Sequence, residues 1–250
     1  MANLIIEKAN SIARITLNNP PVNVINIALM RELNAALDSA QDAKIVVIAA
    51  QGKFFSAGVD VGEHKLDTVK EMLDEFHAVI KKIWKMPAPT IAAVQGSALG
   101  GGMELAMACD FIVASEAAKF GQPEIQVGVF PPIAALMLSR LVPRKKAFEL
   151  ILTGDAIDAR AAERIGLVNA VASPETFEVE LNAFVSRLSK LSGVVLRHTK
   201  RAAMMPLQAR DEEILGEIER LYFDELMQTQ DANEGLNAFM EKRQPKWKER

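Results

Sequence analysis

Short runs of β-branched and aliphatic residues alternate along this chain with longer stretches whose apolar residues recur at three- and four-residue spacing. This alternation restricts the chain to an α/β architecture, because strands that are apolar at every position need cover on both faces. Residues 4–8, 12–17, 45–50, 90–94 and 111–114 read as strands, with a further short one near 169–171. Residues 27–41 and 68–85 read as helices. Val69, Met72, Leu73, Phe76, Ile80 and Ile83 form the stripe by which the second of these packs inward.

Pro87 and Pro89 end that helix and lead into the buried strand 90–94, which runs without a spacer into a glycine-rich loop. Beyond Ser173 strand signals cease. Residues 174–191, 194–205 and 211–228 read as helices, so a core over 1–190 is followed by a helical region over 191–250. Its stripe of Ile214, Ile218, Leu221 and Leu226 needs cover, and a neighbouring subunit is the candidate.

A chain of 250 residues with 50% hydrophobic content has ample material for a core. Its formal net charge of -3, with both signs mixed throughout, gives no single-sign field to attract nucleic acid or an anionic membrane. The longest apolar runs, 45–50 and 105–109, fall far short of the roughly 20 residues that span a bilayer. No leader pattern opens the chain, and a cytoplasmic location is expected. Cys109 stands alone in an apolar run and reads as a small core residue in a reducing compartment.

Two loops carry the candidate chemistry. In Gln95-Gly96-Ser97-Ala98-Leu99-Gly100-Gly101-Gly102-Met103-Glu104, a glycine cluster between strand and helix lets backbone N–H groups face a ligand oxygen. Tight packing alone would also explain the glycines. Neither Gly-x-Gly-x-x-Gly nor Gly-Lys-Ser/Thr is present, which argues against dinucleotide and phosphate loops. The second loop, Phe54-Phe55-Ser56-Ala57-Gly58-Val59-Asp60, follows the strand 45–50, and ligands bind at such strand ends in α/β sheets. By itself it reads equally well as an ordinary loop. Together, two such loops can supply converging donors, an oxyanion hole for a carbonyl oxygen that becomes negative during reaction.

Glu104 and Glu124 lie beside this glycine-freed backbone. Two carboxylates in a dry pocket divide acid and base roles, because burial and mutual repulsion separate their pKa values. The bland readings are a carboxylate at a helix start and a surface loop acid. His64 reads as a solvent-facing loop histidine, with a place lining the ligand site as its alternative. His77 and His198 fall in helical stretches, and the three histidines lack metal-ligand spacing, so no metal is expected. Arg144-Lys145-Lys146 and the basic tail Lys242, Arg243, Lys246 and Lys248 read as solvated faces, although some of these residues can meet phosphates of a ligand.

Ser56-Ala57-Gly58-Val59-Asp60, Ala98-Leu99-Gly100-Gly101-Gly102-Met103-Glu104-Leu105-Ala106, Asp110, Phe120-Gly121-Gln122-Pro123-Glu124, Leu152-Thr153-Gly154 and Phe239-Met240-Glu241-Lys242-Arg243 closely resemble the crotonase (enoyl-CoA hydratase/isomerase) superfamily. The resemblance runs through the whole chain in order. It implies a spiral of ββα units with a C-terminal helical trimerisation region, and assembly as a homotrimer or homohexamer. It also implies an acyl-CoA substrate, with no cofactor beyond the coenzyme A that the substrate carries. Its oxyanion donors fall on the N–H groups of Val59 and Gly101, and its two hydratase acids on Glu104 and Glu124. Ala57, Gly58, Asp60 and Gly100 are expected to contact substrate.

One stretch departs from the common pattern. Where the family often has Pro-Gly-x-Gly-Gly-Thr, this chain has Pro131-Pro132-Ile133-Ala134-Ala135-Leu136, which places bulk against the acyl pocket. Proline suits the first turn of a helix, so the change is structurally tolerable. With Gly58-Val59-Asp60-Val61-Gly62-Glu63-His64, it makes the chain similar to the hydratases of anaerobic aromatic degradation that act on cyclohexa-1,5-diene-1-carbonyl-CoA. The alternatives are a general 2-enoyl-CoA hydratase of fatty-acid oxidation, an isomerase or carbon–carbon hydrolase of the same fold, and a non-catalytic binding relative.

Overall fold

The computed structural model describes residues 3–208 and 211–247. Strands β1 (Leu4–Ala9) and β2 (Ile12–Leu17) form an antiparallel hairpin, α1 (Ile27–Ser39) follows, and three ββα turns succeed one another. The first turn comprises β3 (Ile45–Ala50), β4 (Phe54–Ser56) and α2 (Val69–Lys85), and the second β5 (Thr90–Val94), β6 (Ser97–Leu99) and α3 (Gly101–Ala108). The third comprises β7 (Phe111–Ser115), β8 (Lys119–Gly121) and α4 (Pro132–Leu141). After α5 (Arg144–Thr153), β9 (Ala156–Asp158), α6 (Ala159–Arg164) and β10 (Ala170–Ala172), the described elements are helical: α7 (Phe177–Ser189), α8 (Gly193–Gln208), α9 (Asp211–Arg220) and α10 (Gln230–Met240), with short turns between the last two.

Each turn gives its longer strand to one sheet and its shorter strand to another. The first sheet has the order β1-β2-β3-β5-β7-β10 and the second the order β4-β6-β8-β9. Successive turns lie parallel in both sheets, so the chain winds as a spiral of ββα units.

The continuous apolar strands follow from cover on both faces. Val46 and Ile48 of β3 face the main core, while Ile45, Val47 and Ala49 pack with Ile91, Ala93 and Val113 against Phe177, Leu181 and Val185 of α7. Burying each such side chain is worth about 1.5–3 kcal/mol, enough for three residues to dock α7 on the outer face. Helix α2 turns its expected stripe inward, with Val69, Met72, Leu73, Phe76, Ile80 and Ile83 all buried. Cys109 is buried as well, and burial pushes its thiol up to about 12, so it behaves as a core residue.

The expected strands are present, with ends displaced by no more than a residue. The four strands of the smaller sheet had not been separately anticipated, nor had α10. Residues 211–228 do not form one helix: α9 ends at Arg220 and gives way to a π-helical turn, Leu221–Glu225, and a 3-10 turn, Leu226–Gln228. The stripe expected to need a neighbouring subunit is largely covered by its own chain. Ile214, Ile218 and Leu226 pack against the main core, and Leu221 remains exposed. These C-terminal elements thus close over the spiral. Helix α8 is tied down by Lys200, whose Nζ lies 2.6 Å from Asp110 Oδ2 and donates to Ala88 O at 3.1 Å.

Candidate active site

The ends of β4, β6 and β8 deliver three chain segments to one place. After β4, Gly58 adopts φ +110° and its carbonyl accepts from Ile25 N–H at 2.9 Å, while Asp60 N–H donates to Ile25 O at 3.2 Å. This short parallel bridge uses the peptide groups on either side of Val59 and turns the Val59 N–H to the opposite side. After β6, Gly100 takes φ +51°, and Gly101 begins α3, so its N–H is one of the donors that a helix start leaves free. A β-carbon built on Gly101 would lie 3.3 Å from Val59 N, so the two amides are near neighbours. Gly100 N–H donates to Gly121 O at 2.9 Å, fastening the second loop to the third.

Glu104, one turn into α3, is buried, and its Oε1 accepts from Ala134 N–H at 2.8 Å at the start of α4. Pro132 occupies the first position of α4 and has no N–H to offer, so the exposed donors there belong to the next residues. Those backbone bonds favour the carboxylate, yet burial outweighs them and raises Glu104 to about 7. Glu124 sits on the 3-10 turn Pro123–Val127 after β8. Burial, reinforced by the charge of Glu104, holds its pKa well above the ordinary carboxylate range. The two acids therefore act on each other and titrate as a pair.

Both acids open on one cavity of about 450 Å³, within the range of small-ligand sites of about 300–1,000 Å³. Ala57, Gly58, Val59, Gly100, Gly101, Glu104, Glu124, Pro131 and Pro132 line it. Asp60 was expected beside substrate and is not in the lining: its Oδ1 accepts from Gly62 N–H at 2.8 Å and caps the short helix Val61–His64. His64, expected to face solvent, instead lines the cavity. Its Nδ1 lies 3.0 Å from Asp60 O, and a carbonyl can only accept, so Nδ1 carries the proton and Nε2 is left as an acceptor. Burial lowers its pKa and favours that neutral form.

Arg243, read from sequence as part of a solvated tail, also lines the cavity and pairs with Glu234 at 2.6 Å and Glu241 at 2.5 Å. Arg144, Lys145, Lys146, Lys242 and Lys246 are exposed as expected, and Lys248 lies outside the described residues. Gln122 had not been singled out. It is fully buried and, with its amide nitrogen turned to the carboxylate as the surrounding groups require, donates to Glu124 Oε2 at 3.1 Å and Oε1 at 3.2 Å. Its position two residues before Glu124 was the available signal. Phe130, Tyr222, Leu236 and Phe239 complete the apolar wall. Among the described residues no group of three His, Cys, Asp or Glu is placed to hold a metal ion, and no helix is long and apolar enough to cross a membrane.

Two neighbouring backbone donors facing a pair of proton-holding acids define a site suited to carbonyl substrates whose oxygen gains negative charge as a proton moves. The chain belongs to the enoyl-CoA hydratase/isomerase family, whose model matches residues 7–250. It is 42% identical to a probable enoyl-CoA hydratase of Rhizobium meliloti (strain 1021) over 99% of this chain and 98% of that one. It is 36% identical to the cyclohexa-1,5-dienecarbonyl-CoA hydratase of Thauera aromatica, over 98% of this chain and 96% of the relative. Among solved structures, an enoyl-CoA hydratase from Mycobacterium avium subsp. paratuberculosis K-10 superposes with a TM-score of 0.89 at 27% identity, covering 99% of both chains.

Proposed function

We propose that this hydro-lyase of the enoyl-CoA hydratase kind adds water to a conjugated cyclic dienoyl-CoA, converting cyclohexa-1,5-diene-1-carbonyl-CoA to 6-hydroxycyclohex-1-ene-1-carbonyl-CoA in anaerobic aromatic (benzoyl-CoA) degradation. The observation that carries this reading is the wall Phe130-Pro131-Pro132, which lines the same cavity as both glutamates. Prolines there, with the rings of Phe76 and Tyr222, give stiff, flat surfaces suited to a six-membered ring. The likeness to the Thauera aromatica enzyme supports the same choice.

In this mechanism the N–H groups of Val59 and Gly101 hold the thioester oxygen. In the proposed division of roles, Glu104 takes a proton from water as the water oxygen bonds to the ring carbon β to the thioester. The displaced electron pair moves onto the thioester oxygen as a dienolate, where the two donors stabilise it. Glu124 then gives its proton to the far end of the conjugated system, and the remaining double bond stays in conjugation with the thioester. Proton return from Glu104 to Glu124 resets the site.

The test is hydration of crotonyl-CoA and the cyclic dienoyl-CoA side by side, followed by absorbance and product mass. A higher kcat/KM for the diene is expected. Preference for crotonyl-CoA would support the second reading, a general 2-enoyl-CoA hydratase, which the Rhizobium meliloti relative favours. We also propose a homotrimer or homohexamer assembled through the helical region over 191–250, since Leu191, Val194, Val195, Leu221 and Phe239 expose apolar surface. Light scattering of the purified protein tests the mass.

A further inference from the structure

Tyr222 combines features that core packing does not explain. It is 1% exposed, yet its hydroxyl has no hydrogen-bond partner among the described residues. Burying a hydroxyl unpaired is unfavourable, and phenylalanine would fill the same volume without that penalty. The residue lines the cavity that Glu104 and Glu124 share. It lies in the π-helical turn Leu221–Glu225, an irregularity found mostly at functional positions.

The ring is held firmly. It meets Phe130 edge-on at 5.2 Å between centroids and Phe223 at 5.9 Å. Phe130 directly precedes the proline wall, so the phenol is anchored to the acyl chamber. Burial, with the charges of Glu124 and Glu104 added, raises the phenol's pKa and keeps it neutral. A neutral phenol is a donor, and it shares one cavity with both carboxylates, where water must meet them.

We propose that the Tyr222 hydroxyl is the third polar contact of the reacting oxygen, donating a hydrogen bond to the water that is added and to the hydroxyl it becomes. This rests on the reading of the cavity as a hydration site, but not on which acyl group fills it. No protein group among the described residues competes for the hydroxyl, so it is a preformed donor for that oxygen.

The test is Tyr222→Phe, which removes one oxygen and keeps the ring. For whichever of crotonyl-CoA and the cyclic dienoyl-CoA the wild type hydrates faster, kcat is expected to fall by about 10- to 100-fold, the scale of one hydrogen bond in a dry site, with KM within about threefold. Binding of 3-hydroxybutyryl-CoA should weaken by about tenfold while that of butyryl-CoA stays unchanged, and Tm should hold or rise. A role limited to packing would move both ligands together. Unchanged kcat and unchanged hydroxyacyl binding, or equal losses for both ligands, would overturn the proposal while leaving the hydratase reading intact. A wild type inactive on both thioesters would overturn the hydratase reading and this proposal with it.

Discussion

Oε1 of Glu124 lies 2.6 Å from the point where a β-carbon on Gly100 would sit. Gly100 also holds φ +51° with ψ -129°, a backbone conformation that is strained for an L side chain. Gly100→Ala therefore displaces the carboxylate and strains the loop that presents Gly101. Stability should drop by at least ~1 kcal/mol. Turnover should fall by about 100-fold, because small misplacements of reacting groups carry penalties of that order. Steady-state kinetics and thermal melts on the same sample separate the two effects.

Replacing either acid with its amide keeps the shape and removes the proton traffic. Glu104→Gln and Glu124→Gln should each lower kcat by about 10² to 10⁴-fold with substrate binding largely retained. Near-normal turnover in both variants would sink the assignment of roles. The double variant should be little worse than the poorer single one, since the pair acts as a unit.

The raised Glu104 carboxyl makes a prediction about stability and pH. In the unfolded chain a glutamate ionises near 4.3, whereas in the folded protein Glu104 holds its proton up to about 7. Between those values the folded state binds more protons, so its contribution to stability is fully present below about 4.3 and is lost as pH rises through 7. Urea denaturation across this window should show a decline that Glu104→Gln flattens. Glu219, whose pKa is lowered chiefly by its 2.5 Å bond to the buried His77, works in the opposite direction and loses its contribution as pH falls. A control in Glu219→Gln separates the two.

Pro132→Gly restores the residue type more common at this position in the family and softens the acyl wall. It should cost about 0.4–1 kcal/mol of stability by freeing the unfolded chain. The ratio of kcat/KM for the cyclic diene over crotonyl-CoA should fall by roughly 10-fold, the scale on which an apolar pocket discriminates. An unchanged ratio would leave the wall without a part in selecting the ring.

The long buried strands were legible because each is apolar at every position, as Ile45 through Ala50 illustrates. The smaller sheet was not, because Phe54–Ser56, Ser97–Leu99 and Lys119–Gly121 are three-residue strands that no periodicity can mark. Glu104 and Glu124 stood out beside glycines, and their meeting in one cavity required the fold. His64, Tyr222 and Arg243 reach that cavity through the folding of the chain, which local pattern does not encode, whereas Gln122 contacts Glu124 from only two residues away. Tyr222 is the clearest case: its sequence neighbours Leu221 and Phe223 give no indication that its ring packs on Phe130 and lines the same cavity as Glu104 and Glu124. Asp60 shows the reverse error, a polar residue next to the site whose carboxylate is consumed by its own turn.

The pairing of Ser56 with Ala98 and of Leu99 with Gly121 puts the ends of three successive turns on adjacent rungs. Adjacent strands are spaced about 4.8 Å apart, so the sheet acts as a ruler that sets how far the Val59 and Gly101 amides stand from Glu124. Under the proposed roles, interchanging side chains on the third rung would alter the reaction while the first two rungs keep their amides in place.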